Sequence, residues 1–320
     1  MYTYINSGKL TFLRKGMNRL QVMEHSLTMQ WLLLRPWLRA LRCHQWAKNT
    51  LIFVPMLVSH RLNEWSTVQA SLIAFISFSL LCSSGYLIND IQDRKRDQQH
   101  PRKRSRPFAC NQLSKQSGLI ASAILLLSSY SLGFLLTTEL IITNCAYFII
   151  AISYSFYLKR LLLIDVMALA ILYTLRIIAG CAATGIHISQ WLFIFSLFTF
   201  FGFALLKRCG ELKLLANNDF NNGRAYQLLD LPLLQQIGIC SSLIGILVLG
   251  IYTSSPASEE FYTQPHWLWA ICILLLFWSC RLWLLMAREI LTDDPILFAL
   301  RDKISYGVLV LIMICFYLAT

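Results

Sequence analysis

Residues 140–180 read LIITNCAYFIIAISYSFYLKRLLLIDVMALAILYTLRIIAG. Two apolar runs flank a single pair of cations, Lys159 and Arg160. A run of about 20 apolar residues crosses the hydrocarbon core of a bilayer as a helix, because only a helix or a closed barrel satisfies its backbone hydrogen bonds there. The interruption is short enough to be a tight hairpin turn, and its basic pair marks a cytoplasmic side. The stretch therefore predicts two antiparallel membrane helices, near 140–158 and 163–185, with Arg176 inside the second.

The same reading, carried outward, finds nine apolar stretches, near 47–60, 68–88, 117–136, 140–158, 163–185, 189–206, 233–253, 266–285 and 304–319. Composition agrees. Of 320 residues, 57% are apolar and only 14% charged, with a mean hydropathy of +0.56. Soluble domains run at about 45–50% apolar and about 25% charged, so a soluble enzyme and a disordered chain are both excluded. The expected fold is an all-α polytopic membrane protein of about nine transmembrane helices. It divides into a basic cytoplasmic arm over 1–34 and a membrane domain over 35–320. The ten cysteines stand singly, without metal-ligand or disulfide spacing, and read as small apolar side chains. Residues 1–30 lack the apolar segment of a cleavable signal peptide.

The net charge of +12 poses a choice between nucleic acid and membrane. Placement decides it. The 28 Lys and Arg residues fall eight in 1–48, eight in 89–116, two at 159–160, four in 207–232 and four in 281–303. The intervening loops hold only Arg61, and Arg176 lies within a span. Such alternation is the positive-inside pattern. It puts the amino terminus and these loops in the cytoplasm and leaves no basic face for nucleic acid.

Asn89-Asp90-Ile91-Gln92-Asp93-Arg94-Lys95-Arg96-Asp97 follows the second stretch. If the helix continues, Asp90, Asp93 and Asp97 share one face at i, i+3 and i+7, with Asn89 beside them. Carboxylates stacked in that way repel one another unless a cation sits among them. Oxygen ligands of this kind suit Mg²⁺ together with a substrate's phosphates. The residues alone leave open a solvated helix end whose carboxylates pair with Arg94, Lys95 and Arg96.

Asn89-Asp90-x-x-Asp93-x-x-x-Asp97 resembles the first aspartate-rich motif of the UbiA-type intramembrane prenyltransferases. The resemblance runs from about residue 35 and takes in the nine stretches and the Lys/Arg-rich tail after the motif. It implies a helical barrel that binds an isoprenoid diphosphate through Mg²⁺ at its cytoplasmic side, with Asn89, Asp90, Asp93 and Asp97 as metal ligands and the three aspartates as catalytic residues. One departure stands out. Where members acting on aromatic acceptors carry a second aspartate-rich motif, this chain has Lys207-Arg208-Cys209-Gly210-Glu211, with Asp219 beyond it. Further marks are Gln45-Trp46-x-Lys48-Asn49, His100-Pro101-x-Lys103-Arg104-x-Arg106, Tyr154-Ser155-x-x-Leu158-Lys159, Asp165, Leu175-Arg176-x-x-Ala179-Gly180 and Asp293-Asp294-Pro295-x-x-Phe298-Ala299-Leu300-x-Asp302. Together these are similar to the decaprenyl-phosphate phosphoribosyltransferase branch.

That branch implies transfer of a phosphoribosyl group from phosphoribosyl diphosphate to a polyprenyl (decaprenyl) phosphate, on a lipid-linked sugar pathway of a bacterial inner membrane. Three anionic groups then converge, and extra cations in place of a second carboxylate pair make chemical sense. The phosphate-binding set is Lys48, Asn49, Lys103, Arg106, Tyr154, Lys159, Asp165, Lys207, Arg208 and Glu211, the last toward a ribose hydroxyl. Read without the resemblance, Lys207, Arg208, Lys159 and Arg160 are also ordinary topology anchors, and Glu211 is placed for a surface ion pair with Lys207 or Arg208. A carboxylate as close to the membrane as Asp165 needs a partner, and so does Arg176 at depth. Asp293-Asp294-Pro295 reads as a helix cap. Transfer of a prenyl group to an aromatic or other acceptor is the alternative. A transporter of lipid-linked sugars is a third reading, for which the expected internal repeats are not found.

Overall fold

The computed structural model describes residues 34–99, 103–216, 225–291 and 294–320. The expected amino-terminal arm, apart from its last residue, lies outside them, as do His100, Pro101, Asp219 and Asp293. Every regular element among the described residues is helical. Eight are long: α1 Trp65–Gln92, α2 Lys115–Phe134, α3 Thr138–Phe156, α4 Ile164–Thr184, α5 Gln190–Ala216, α6 Leu231–Thr253, α7 Trp267–Ala287 and α8 Lys303–Ala319. Seven of them, α1 to α7, are long and apolar enough to span a bilayer, and α8 is a shorter apolar helix. The chain is thus an all-α polytopic membrane protein, and nine spans holds only as an approximate count.

The difference lies mainly at the first stretch. Residues expected to span over 47–60 instead wind as a 3₁₀-helix, Cys43–Phe53, followed by one short α-helix, Val54–Val58. Pro55 occupies the first turn of the short helix, where its missing N–H costs nothing but the chain cannot continue an earlier helix through it. Lys48, Asn49 and Ile52 are buried. The apolar run is directed at protein rather than at lipid.

The chain divides into two compact units. The larger contains His44–Gly85 and Ala123–Thr320. Within it successive helices pack in turn, α3 on α4, α4 on α5, α5 on α6, α6 on α7 and α7 on α8. Tyr173, Ile177, Phe200, Phe203, Leu205, Trp283 and Met286 form its apolar core. Between membrane helices there is little hydrophobic drive, so close approach and internal hydrogen bonds carry the packing. Ser77 of α1 donates to the Ser129 carbonyl of α2 at 2.8 Å and accepts from Asn144 Nδ2 of α3 at 3.1 Å. The tightest approach is at Gly180 of α4, where a Cβ would lie 2.1 Å from the Ile52 carbonyl oxygen. Only glycine admits the 3₁₀ segment there. Large apolar side chains such as Leu247, Ile251, Ile273 and Leu284 face outward, as a lipid-contacting surface requires.

The smaller unit contains Met1–Cys43 and Tyr86–Ser122. Its described part comprises a helical turn at 34–41, the last residues of α1, the short helix Arg94–Gln99, a 3₁₀ turn Lys103–Ser105 and the start of α2. Phe108 is fully buried in it.

Gly180→Ala is expected to lower the thermal unfolding temperature in detergent by the equivalent of about 1–3 kcal/mol, the usual cost of an overpacked contact. Gly85→Ala, where a Cβ meets nothing within 4 Å, is the control and should unfold like the parent. Equal melting of the two variants would show that the contact at Ile52 is not needed.

Candidate functional site

In the smaller unit the aspartates are placed by one nearly continuous helical path. α1 ends at Gln92 and Arg94–Gln99 resumes, yet the Asp93 N–H still donates to the Asn89 carbonyl at 2.9 Å and the Asp97 N–H to that of Asp93 at 2.8 Å. Asp90 and Asp97 are brought to one face and buried. Arg106 Nη1 lies between them, 3.1 Å from Asp90 Oδ1 and 2.7 Å from Asp97 Oδ2. Arg42, which sequence reasoning missed, adds its Nη2 to Asp90 Oδ1 at 2.5 Å. Asp93 is less buried and stands 4.0 Å from Arg96 Nη1, and Asn89 is half-buried. Lys103 is exposed on its 3₁₀ turn.

These donors fit a hard divalent cation. Two buried carboxylates already share a positive charge through Arg106, and all donors are oxygens. Among the described residues no three His, Cys, Asp or Glu side chains stand together as a complete metal centre. Mg²⁺ does not need one, since it is commonly held by one or two carboxylates, water and substrate phosphates.

In the larger unit a second set of charges gathers around Asp294. Lys48 Nζ is 2.5 Å from Asp294 Oδ2 and Lys207 Nζ is 3.6 Å from the same oxygen. The Tyr173 hydroxyl donates to Asp294 at 3.1 Å. Asp294 also caps the helix Pro295–Ala299, accepting from the Ile296 N–H at 3.2 Å through Oδ1. The expected cap is there, and so are partners that no local pattern announces. Burial would raise the Asp294 carboxyl, but the ammonium groups of Lys207 and Lys48, with the bonds from Lys48 and Tyr173, hold it well below the usual carboxylate range. Burial lowers Lys48 to about 8, against the opposing pull of Asp294.

A third set is built on α4 and α5. Arg208 is fully buried, its Nη2 lying 2.7 Å from Asp165 Oδ2, and its Nη1 bonds Glu211 one turn on. The partner demanded by Asp165 is thus Arg208, and the i, i+3 pair with Glu211 is formed. Tyr226, absent from the sequence-based set, donates its hydroxyl to Asp165 Oδ1 and accepts from the Leu163 N–H at 3.0 Å. Leu163 has φ of 62°, a left-handed conformation that is costly for a bulky residue. That conformation closes the turn after Lys159, which is half-buried on the 3₁₀ turn Leu158–Arg160. Tyr154 near the end of α3 is close enough to Arg208 and Lys207 to feel their charge.

Arg176 finds its partners at depth. Its Nε donates to Asn49 Oδ1 at 2.9 Å and its Nη2 to the Tyr147 hydroxyl at 3.0 Å, with the Tyr147 and Tyr173 rings each 5.1 Å from its guanidinium carbon. Asn49 in turn donates to Ser79 Oγ at 2.9 Å. Asn49, expected to touch substrate, is buried in this network.

Seven long apolar helices with clustered buried ions define a multi-pass membrane protein with charged chemistry at helix ends. A model of the UbiA prenyltransferase family matches residues 50–210, and the chain belongs to that family. An uncharacterized protein of Sinorhizobium fredii is 35% identical over 288 residues, 89% of this chain and 56% of that protein. Nodulation protein NoeC of Azorhizobium caulinodans is 28% identical over 83% of this chain and 87% of its own length. A decaprenyl-phosphate phosphoribosyltransferase of Mycolicibacterium smegmatis is 32% identical over 55% of this chain and 57% of its own. The chain thus spans little more than half the length of the first and the last of these. The solved structure of a UbiA homolog from Archaeoglobus fulgidus bound to DMAPP and Mg²⁺ shares the fold, with a TM-score of 0.66 at 14% identity over 88% of this chain and 97% of that one.

Breaking a buried ion pair leaves an uncompensated charge and costs about 3–5 kcal/mol. Arg208→Ala is therefore expected to unfold at markedly lower temperature in detergent than the parent. Adding Asp165→Asn should recover part of the loss, because the stranded carboxylate is removed. If the double variant is as unstable as the sum of the singles, the two side chains are not coupled.

Proposed function

We propose that the protein transfers a phosphoribosyl group from phosphoribosyl diphosphate to a polyprenyl phosphate. The observation that carries this reading is the cationic pair Lys48 and Lys207 facing one carboxylate, with Lys207 and Arg208 at the place where members of the family acting on aromatic acceptors carry a second aspartate-rich motif. Similarity to decaprenyl-phosphate phosphoribosyltransferases supports it.

In the reaction a phosphate oxygen of the lipid attacks C1 of the ribose, the C1–O bond to diphosphate breaks, and diphosphate leaves with the electron pair. The nucleophile is already an anion, so no base has to remove a proton. Bound through Asn89, Asp90, Asp93 and Asp97, Mg²⁺ would supply charge neutralisation for the departing diphosphate. Arg106, which now joins Asp90 to Asp97, orients those carboxylates. Lys48 and Lys207 bind a substrate phosphate as point charges. Glu211 shares Arg208 yet keeps part of its carboxylate at the surface, as a group that accepts from a ribose hydroxyl must. The alternation of basic loops supports a cytoplasmic site, and similarity to a bacterial phosphoribosyltransferase supports placement in a bacterial inner membrane.

Purified protein given Mg²⁺, labelled phosphoribosyl diphosphate and decaprenyl phosphate should yield labelled lipid, and chelation should stop it. Turnover of a prenyl diphosphate with an aromatic acceptor, and no labelled lipid, would establish the alternative transfer instead. Asp93→Asn leaves the two buried carboxylates and their arginines in place, so the variant should fold normally and lose about 100-fold in kcat, the scale of removing one group that stabilises developing charge. Parental turnover in this variant would remove Asp93 from the site.

A further inference from the structure

Asp294 lies outside the aspartate-rich motif in sequence, on a segment that belongs to the larger unit. Its two oxygens are used differently. Oδ1 accepts from the Ile296 N–H, the ordinary work of a helix cap. Oδ2 faces the ammonium groups of Lys48, from the 3₁₀ segment Cys43–Phe53, and Lys207, from α5. The Tyr173 hydroxyl of α4 fixes the carboxylate from a third side. Four separate segments therefore meet at this one group.

Charge alone makes the arrangement incomplete. Two ammonium groups share one carboxylate, and Lys48 and Asp294 are nearly closed off from solvent while Lys207 keeps 30% of its side chain exposed. Each ammonium carries three donors. Asp294 takes one from Lys48, and at 3.6 Å it takes none from Lys207 within hydrogen-bond range. Without the carboxylate, two cations brought this close in a poorly hydrated place would repel and either separate or lose a proton.

We propose that Asp294 is a positioning residue, whose Oδ2 gathers Lys48 and Lys207 into a two-cation cradle for one phosphate group of a substrate. This deepens the phosphoribosyl-transfer reading and rests on it for the identity of that phosphate. The cradle binds a phosphate dianion through the partly exposed Lys207 and the remaining donors of Lys48. The charged and titratable groups facing it are Asp294, Lys207, Arg176 and Tyr173 around Lys48, and Asp294, Glu211, Arg208 and Tyr154 around Lys207. Because burial lowers Lys48 to about 8, anion binding should weaken as pH rises through that value. Removing the negative charge of Asp294 takes away what opposes the burial effect, so the alkaline limb should move to lower pH.

Asp294→Asn separates the two duties of the residue, because asparagine still caps a helix and cannot hold two cations. The probe is sulfate, whose charge is constant across neutral and alkaline pH, and the readout is its stabilisation of the full chain in detergent against heat at a series of pH values. The parent should show stabilisation that fades around pH 8, and Asp294→Asn should show it fading about one unit lower, so that binding is about twofold weaker at pH 7 and about tenfold weaker at pH 9. Lys48→Arg, which cannot lose its proton, should bind sulfate with no alkaline limb, and Lys207→Ala should bind poorly at every pH. A parental pH midpoint in Asp294→Asn overturns the proposal. Should that variant not fold, an alkaline limb surviving in Lys48→Arg overturns it equally. These titrations involve no turnover, so sulfate results as stated together with no labelled lipid would sink the reaction assignment and leave the cradle standing.

Discussion

The pairing of Arg208 with Asp165 inside the larger unit constrains everything around it. A guanidinium shut away from water costs several kcal/mol unless matched, and the match dictates where its neighbours go. Asp165 sits in the first turn of α4, the end of a helix that favours a carboxylate. Placing it there requires a turn of a few residues from α3, and that turn closes through a strained leucine at position 163. Tyr226 reaches back to bridge the strained backbone and the carboxylate together. Burial and the bond to Asp165 push its phenol upward, so it stays a donor. The ion pair, the strained turn and the tyrosine are one device.

Two arginines are buried among the described residues, and the molecule handles them in contrasting ways. Arg208 meets carboxylates, whereas Arg176 is held by an amide, a phenol and aromatic faces. The first arrangement neutralises charge and fixes Glu211 beside it. The second spreads charge over polarisable groups and ties together α4, α3 and the 3₁₀ segment. Rings within about 6 Å of a cation are worth more when water is excluded, which is the condition at this depth.

Much of this was legible in the linear chain, and what was not has a common cause. Periodicity of length and charge located α1 to α8 within a few residues, because apolar runs and flanking cations are local signals. The exception is α5, which continues ten residues past the expected end at 206 and carries Lys207 and Arg208 on the helix rather than in a loop. The facing of Asp90 and Asp97 followed from helical spacing, which survived the break at Asp93. The stretch over 47–60 departs from the expected span because apolar composition does not distinguish a surface turned to lipid from one turned to protein, and because Pro55 interrupts helix continuity. Asp294 read as a cap, which it is, but its partners at 48, 173 and 207 lie more than eighty residues away and carry no local mark. Arg42 and Tyr226 likewise look like ordinary loop residues. Spacing announces a cluster built on one helix. A cluster assembled from four segments is visible only after folding.

The notch at Gly180 reaches beyond packing. Ile52 enters it with its backbone, and Asn49, one turn earlier, bonds the arginine at position 176. The segment Cys43–Phe53 therefore has no seat until α4 has been synthesised. At a translation rate of about 5–20 residues per second, that is a wait on the order of ten seconds. During it the segment's lysine and asparagine must stay in water or at the membrane surface. This stretch leaves the ribosome before α4 yet reaches its place only after it, so order of synthesis and order of assembly run in different directions here.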